Sequence, residues 1–487
     1  MTDLPKALRR LRDDDLPEAA LSHDADRPWW GAPALALATA IVFYALWRLV
    51  GDNALPNLMP GDFNRPADSM QLGWYLGLTW AFIVAGWWVP ASYKRSYVLL
   101  SSVVTVPVLI PWPALAAMLV VAVGLFFVVT GPLSNKAKWI VLVGWWTLFF
   151  LAWRGNLAPA IVPRQLGFFA QLGFFALFLK SIYHLFEKTT LLADKPEPHA
   201  LRNYLLYMFG GPFFLNPFHI KPIGYAYLDQ QFLARPRTKV MRDGIILFAQ
   251  GVGYLLLHAH VFSLWHDWRG NEAIQHVAAQ LPWWHLLLFM HYNFVKIFLI
   301  LAGNVYLIIG IWRLFGFDLK ADFYFPFFAK NLLEHWRRWN IYNRDFVVAT
   351  IFNPVLLKTG RAIGKYWAYM LACILCFFLG LGVLVHLIPT TFYWGTPHFA
   401  YPIMVRSGLL GVLTGLNIWL DLYLARKGRK KKLRNLYEHS RVLTWLVRLG
   451  KIYFTFLLMS CIYMIQQGLT SGLKLTAVLR LILEVVM

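Results

Sequence analysis

Apolar runs long enough to cross a bilayer follow one another along almost the whole chain, separated by short turns, and this leaves few architectures open. A crossing helix needs about 17 to 25 residues, and roughly eleven to thirteen stretches approach that length. Residues 34–50, 72–89, 245–265, 369–388 and 453–466 with its continuation are the clearest. Of 487 residues, 59% are hydrophobic and 14% charged, which excludes a string of soluble domains. The chain is expected to be an all-α, polytopic membrane protein bound to a lipid bilayer.

The net charge of +22 does not point to nucleic acid, because the basic residues are spread through loops between apolar spans. Positive charge on short loops fixes the orientation of a multi-span protein. The densest basic run, RKGRKKKLR at 426–434, is expected in the cytoplasm, with anionic-lipid contact as a secondary role. Lys6, Arg9, Arg10 and Arg12 precede the first span and place the N-terminus on the same side. The first 30 residues lack the apolar core of a cleavable signal, so the first span is expected to remain as an anchor. Cys373 and Cys376 form a CxxC inside an apolar run, where small core hydrophobes are expected rather than a redox pair.

Organisation follows from where polar residues interrupt the apolar pattern. Residues 1–30 form a cytoplasmic segment, 31–200 a transmembrane scaffold, 201–425 a functional core, 426–451 a basic cytoplasmic loop, and 452–487 the C-terminal membrane helices. Two glycines and three prolines within 204–222 argue for a broken or re-entrant element. His258, His260, His291, Asn293, Lys296 and Asn304 fall within the apolar runs after residue 245. Each touches substrate or simply hydrogen-bonds a neighbouring helix. No metal cluster is expected; His258, His260 and His266 with Asp267 come nearest to ligand spacing.

The run 323–340, FYFPFFAKNLLEHWRRWN, concentrates charges and amides between apolar spans. Pro326 suits a helix's first turn, with Asp322 placed to cap it. Continuous helical spacing puts Leu332, Trp336, Trp339, Asn340 and Asn343 on one face, with Arg337 and Arg338 on the flanks and Glu334 paired to Arg338 at i, i+4. Such a helix either lines a cavity or lies in the membrane interface. His386 sits deep in the run 369–388, and a near-neutral imidazole there is either a general base or a side chain reaching for the interface.

Together these segments resemble the membrane-bound O-acyltransferase (MBOAT) family. GGPFFLNPFHIKP at 210–222 is similar to the family's Gly-Pro segment. The stretch 301–340 is similar to its glycine-spaced span, RLFGF turn, and Phe-x-x-P followed by a Trp-Arg-Arg-Trp helix. His386 follows Asn340 by 386 − 340 = 46 residues, a separation the family also uses. The resemblance covers about residues 210–421. Bacterial members usually carry His where this chain has Asn340, and Trp-His-Gly where it has Val385, His386 and Leu387.

The resemblance implies re-entrant elements around a central tunnel. It also implies transfer of an acyl group from a thioester donor, coenzyme A or the phosphopantetheine arm of an acyl-carrier protein, to a hydroxyl acceptor. No tightly bound cofactor is implied. His386 and Asn340 would be catalytic, and Trp336, Trp339, Arg337, Arg338, Asn343 and His258 would surround the substrates, with His258 the next candidate base. A bacterial cytoplasmic membrane is implied, with the endoplasmic reticulum as the alternative. Two other readings stand beside this one: a silent relative acting in export or scaffolding, and a polytopic transporter.

Overall fold

The computed structural model describes residues 31–51, 66–89, 93–108, 110, 112–154, 167–191, 201–210, 224–232, 238–261, 282–388, 400–427, 440–470 and 473–486. Among them the backbone is helical without a strand; one isolated bridge joins Phe232 to Phe317. Helices α1 (Gly31–Gly51), α2 (Pro66–Ala85), α3 (Lys94–Thr105), α4 (Trp112–Thr130), α5 (Asn135–Arg154) and α6 (Gly167–Phe186) form the first part of the chain. Short α7 (Leu201–Phe209) and α8 (Tyr225–Gln230) lead to α9 (Thr238–His260) and α10 (Trp283–Leu314). Then come α11 (Leu332–Arg338), α12 (Ile341–Val347), α13 (Asn353–Thr359), α14 (Lys365–Leu375), α15 (Ala400–Arg426), α16 (Arg441–Thr470) and α17 (Leu475–Val486).

Among the described residues, six helical stretches are long and apolar enough to cross a membrane: Trp112–Thr130, Lys239–His260, Trp283–Leu314, Lys365–Leu384, Tyr401–Arg426 and Arg441–Gln466. Ala34–Tyr44 and Gly73–Ala85 are apolar but shorter. The chain is a polytopic membrane protein, as its apolar pattern requires. Against the expected eleven to thirteen spans, the described residues give these six and two shorter apolar helices, because several apolar runs fold as shorter pieces or lie outside the described residues. The glycine- and proline-rich stretch 211–223, residues 428–434 of the basic run 426–434, and His266 with Asp267 also lie outside them.

One contact explains why α9 and α10 pack so closely. Gly244 and Gly251 on α9 lie seven residues apart, as do Gly303 and Gly310 on α10, and the antiparallel helices set Gly244 against Gly310 and Gly251 against Gly303. A Cβ at Gly310 would stand 2.7 Å from Phe248 N and 2.8 Å from Gly244 O. Lipid gives helices no hydrophobic reason to associate, so small residues that let backbones touch supply the dispersion contact instead. Gly411 and Gly415 on α15 play the same part against Ile374 and Met370 of α14. Among the described residues one core cluster runs from Leu35 of α1 to Tyr463 of α16; Phe43 of α1 meets Phe248 of α9 with ring centroids 4.7 Å apart.

Two buried ionisable residues, Lys180 on α6 and Glu187 just beyond it, hold the ends of neighbouring helices. Lys180 Nζ donates to the carbonyls of Tyr207 (2.6 Å) and Met208 (3.3 Å) at the end of α7. Glu187, just beyond α6, accepts from Tyr225 N (2.8 Å) at the start of α8. Each charge sits where the helix terminus leaves backbone groups unpaired and the dipole has the opposite sign.

The helix interface gives a direct test. Gly310→Ala should destabilise the protein in detergent by about 1–3 kcal/mol, because backbone atoms rather than movable side chains block the new methyl. Gly253→Ala on α9 meets nothing within 4 Å and should leave the thermal midpoint unchanged or slightly higher. Equal effects at the two sites would refute the close-contact account.

Candidate functional site

The segment between α10 and α12 does not form the single helix that its spacing suggests. Pro326–Phe328 is an isolated 3₁₀ turn, and α11 starts only at Leu332. Its N-cap is Asn331, whose Oδ1 accepts from Glu334 N at 2.7 Å, while Glu334 Oε2 accepts from Lys330 N at 2.9 Å. This is capping-box logic, with the side chains filling backbone groups that the helix start leaves open. The chain then leaves the helix: Trp339 is extended, and Asn340 is left-handed at φ 56° and ψ 55°. Asparagine adopts that region more readily than most residues.

Asp322 therefore caps a different helix from the one expected. Its buried carboxylate accepts from Tyr342 N (2.9 Å) and its carbonyl accepts from Ile341 N (3.0 Å), so both contacts fix the start of α12. The carbonyls at the end of α11 are also used, since Arg338 O accepts from Tyr324 N (2.8 Å) and Arg337 O from Arg344 Nη1 (2.7 Å). The break at 339–340 also separates residues that continuous helical spacing places on one face. Leu332, Trp336 and Trp339 share a cavity wall, but Asn340 and Asn343 are carried away on α12.

Trp339 is the centre of an aromatic cluster. Its ring lies 5.7 Å from Phe294, nearly parallel, 5.2 Å edge-on to Phe323, 5.8 Å from Phe298 and 5.3 Å over the imidazole of His335. Beside it a cavity of about 20 Å³, room for one water molecule, is enclosed by α11, α15, α16 and Phe377, and His335, Trp336, Thr414 and Tyr463 contribute to its walls. Trp336 packs on Phe377 with centroids 4.5 Å apart.

His335, which the sequence pattern did not single out, is the imidazole of this cavity. It is buried, and Nδ1 lies 3.1 Å from the carbonyl of Pro326. A carbonyl only accepts, so Nδ1 carries the proton and Nε2 is left as the acceptor. Nε2 is buried and has no protein partner among the described residues. Burial pushes the imidazole down to about 4, against an ordinary 6.5, while the Pro326 carbonyl opposes that shift. The available signal was the spacing Leu332, His335, Trp336, Trp339, an apolar stripe with one imidazole in it.

The other expected site residues divide. Asn340 and Asn343 are buried, and Asn343 Oδ1 has no partner among the described residues. Arg338 is paired with Glu334 at 2.5 Å, as the i, i+4 spacing predicts, whereas Arg337 is exposed. His258 is buried on α9 and does not line the cavity. Asn293 and Asn304 donate to Phe289 O and Ile300 O one turn back on their own helix, and His291 meets Ser460 Oγ at 2.9 Å across to α16. The side chain of His386 lies outside the described residues; its backbone belongs to a π-helical stretch, Cys376–Leu387, that continues α14. Among the described residues no group of His, Cys, Asp or Glu has the arrangement of a metal site.

No protein-family model matches the chain, and no curated protein matches it either.

A pH dependence follows from His335. Because its folded value lies below its unfolded one, the unfolded chain binds more protons between pH 6.5 and pH 4, and stability there rises with pH. The contribution is complete above 6.5 and is lost as pH falls towards 4, to the extent of about 3 kcal/mol. Thermal unfolding followed across that window should fall more steeply with acid for the wild type than for His335→Phe. Parallel curves would show that the imidazole titrates freely.

Proposed function

We propose that the chain is an integral-membrane acyltransferase of the MBOAT type. It would move an acyl group from coenzyme A or a phosphopantetheine carrier to a hydroxyl of a glycan, lipid or other acceptor. A bacterial cytoplasmic membrane, with the N-terminus inside the cell, is the setting we assign to it.

The observation that carries this reading is the winding of the stretch Cys376–Leu387. Phe377 lines the aromatic cavity, and His386 follows nine residues later (386 − 377 = 9). An α-helix turns about 100° per residue and would set those two positions on opposite sides. A π-helix, with roughly 4.4 residues per turn, advances about 82° per residue and returns position 386 to within roughly 20° of position 377. A Cβ at Gly380 would stand 2.5 Å from Val347 Cγ1 of α12, and one at Gly382 3.1 Å from Ser407 Cβ of α15. Irregular helix of this kind, sheltered by protein, recurs at functional sites in membranes.

The chemistry follows from the residue types. The imidazole of His386 takes the proton of the acceptor hydroxyl as its oxygen attacks the thioester carbonyl carbon. The carbonyl electrons move onto oxygen, where the Asn340 amide donates a hydrogen bond. Collapse of that intermediate breaks the C–S bond, and the departing thiolate takes up the proton held by the imidazole. The buried aromatic wall around Trp339 excludes water that would otherwise hydrolyse the thioester. Arg337, exposed at the end of α11, can meet a donor phosphate, whereas Glu334 already neutralises Arg338.

A second reading has its own observation, since His335 leaves an acceptor nitrogen in the cavity with its tautomer set by Pro326. In that case His335 is the base and His386 a structural neighbour.

Free-thiol release from acyl thioesters, measured on protein in lipid nanodiscs with a panel of hydroxyl acceptors, tests both. His386→Ala should lose about 10²–10⁴ of the turnover, and Asn340→Ala about 10²–10³, the worth of one oxyanion donor. Full activity in His386→Ala with its loss in His335→Phe would transfer the role to His335. Absence of thiol release with every donor and acceptor would count against acyl transfer altogether.

A further inference from the structure

Arg406, the seventh residue of α15, is a buried cation with no acid paired to it among the described residues. It is 8% exposed, and the ion pairs among the described residues belong to Arg242, Arg313, Arg338 and Arg344. Nη1 donates to Gln466 Oε1 at 2.8 Å, and the guanidinium lies 5.7 Å over the Tyr463 ring. Both are neutral partners on α16. Nε is buried and unpartnered, and Nη1 makes the one side-chain hydrogen bond of Arg406, both among the described residues. An arginine does not shed its proton in a protein, so the charge cannot be relieved by neutralisation.

The geometry of what is left open is specific. With Nη1 occupied, the Nε–Nη2 edge is free, and this is one of the two edges on which a guanidinium makes paired, parallel hydrogen bonds to an oxyanion. A buried cation left without a counter-charge is strongly unfavourable, and within a membrane protein such a group faces a partner or a functional pathway.

Depth selects the source of the anion. Arg406 lies six residues, about 9 Å, into α15 and twenty residues, about 30 Å, from Arg426 at the other end. That separation is the thickness of the hydrocarbon core, which sets Arg406 near the headgroup level of the leaflet opposite Arg426. We propose that Arg406, beside Gln466, binds the phosphate of a phospholipid headgroup through its Nε–Nη2 edge. The site is independent of the acyl-transfer reading, and it adjoins the aromatic cavity because Tyr463 belongs to both.

Thermal unfolding of purified, delipidated protein in a neutral detergent tests this with two probes, phosphatidylglycerol and inorganic phosphate. The wild type should be stabilised by phosphatidylglycerol and much less by inorganic phosphate at equal concentration. Arg406→Met, which keeps the stem and drops the charge, should unfold at a higher temperature than the wild type without lipid. Its affinity for phosphatidylglycerol should fall by about ten-fold or more. Equal stabilisation by inorganic phosphate would keep the oxyanion site but assign it to a soluble phosphate compound, overturning the lipid assignment. A wild type indifferent to both probes, or a variant that responds as strongly, overturns the proposal. Should the variant fail to fold, native mass spectrometry of the wild type decides: one phosphatidylglycerol retained through detergent exchange supports the site, and none retained refutes it.

Discussion

The carboxylate of Asp322 is the fixed point from which the centre of the protein is built. Its side chain and its carbonyl both receive N–H groups from the start of α12, and those two bonds hold the chain in the left-handed turn at Asn340. Without that turn α11 would run on, Trp339 would rotate away from Phe294 and Phe323, and the amides of Asn340 and Asn343 would stand elsewhere. The loop before the turn is tied down in the same way, because Tyr306 Oη donates to Phe323 O at 2.7 Å and Tyr342 Oη to Lys320 O at 2.8 Å. In a low-dielectric interior each such bond is hard to replace, since no water is present to take over.

Around this strap the packing is mainly aromatic. Phe294 meets Phe327 (5.4 Å), Phe456 (5.4 Å) and Tyr463 (5.1 Å), and Phe298 meets Phe327 (4.6 Å), in tilted and edge-on arrangements that suit ring quadrupoles. A wall of flat, stiff side chains leaves a small void with defined sides, whereas branched aliphatic residues would close it. His335 belongs to that wall by shape and differs from it by one acceptor nitrogen. With the hydroxyls of Thr414 and Tyr463, that nitrogen is among the few polar atoms in a mostly apolar lining.

Much of this was legible in the chain itself, and the remainder failed for identifiable reasons. Apolar run lengths give membrane crossing, because a helix needs only its own residues to satisfy its backbone in lipid. The Glu334–Arg338 pair was readable since it is local to one helix. The break at Trp339–Asn340 was not, since the residue that enforces it, Asp322, lies twenty positions before Tyr342. Hydrophobic periodicity drew one helix from Pro326 onward, and the bond that overrules it is tertiary. His335 stayed hidden among louder neighbours because its meaning comes from the carbonyl of Pro326, nine residues back and outside its helix. The π winding of Cys376–Leu387 has no sequence signature at all, so the side of the helix to which His386 belongs could not be read from a 3.6-residue repeat. Asn293 and Asn304 went the other way: polar residues at membrane depth invited a functional meaning, and their amides bond the preceding turn.

The two charges at the end of α6 set a boundary condition on their surroundings. Lys180 grips the finish of α7 and Glu187 the beginning of α8, and they stand seven residues apart on one rod, about 10 Å. Whatever path residues 211–223 follow, departure and return are moored to the same post. Loop closure grows only logarithmically with length, so lengthening that excursion should scarcely disturb the rest, whereas cutting either mooring would let both flanking helices drift at once.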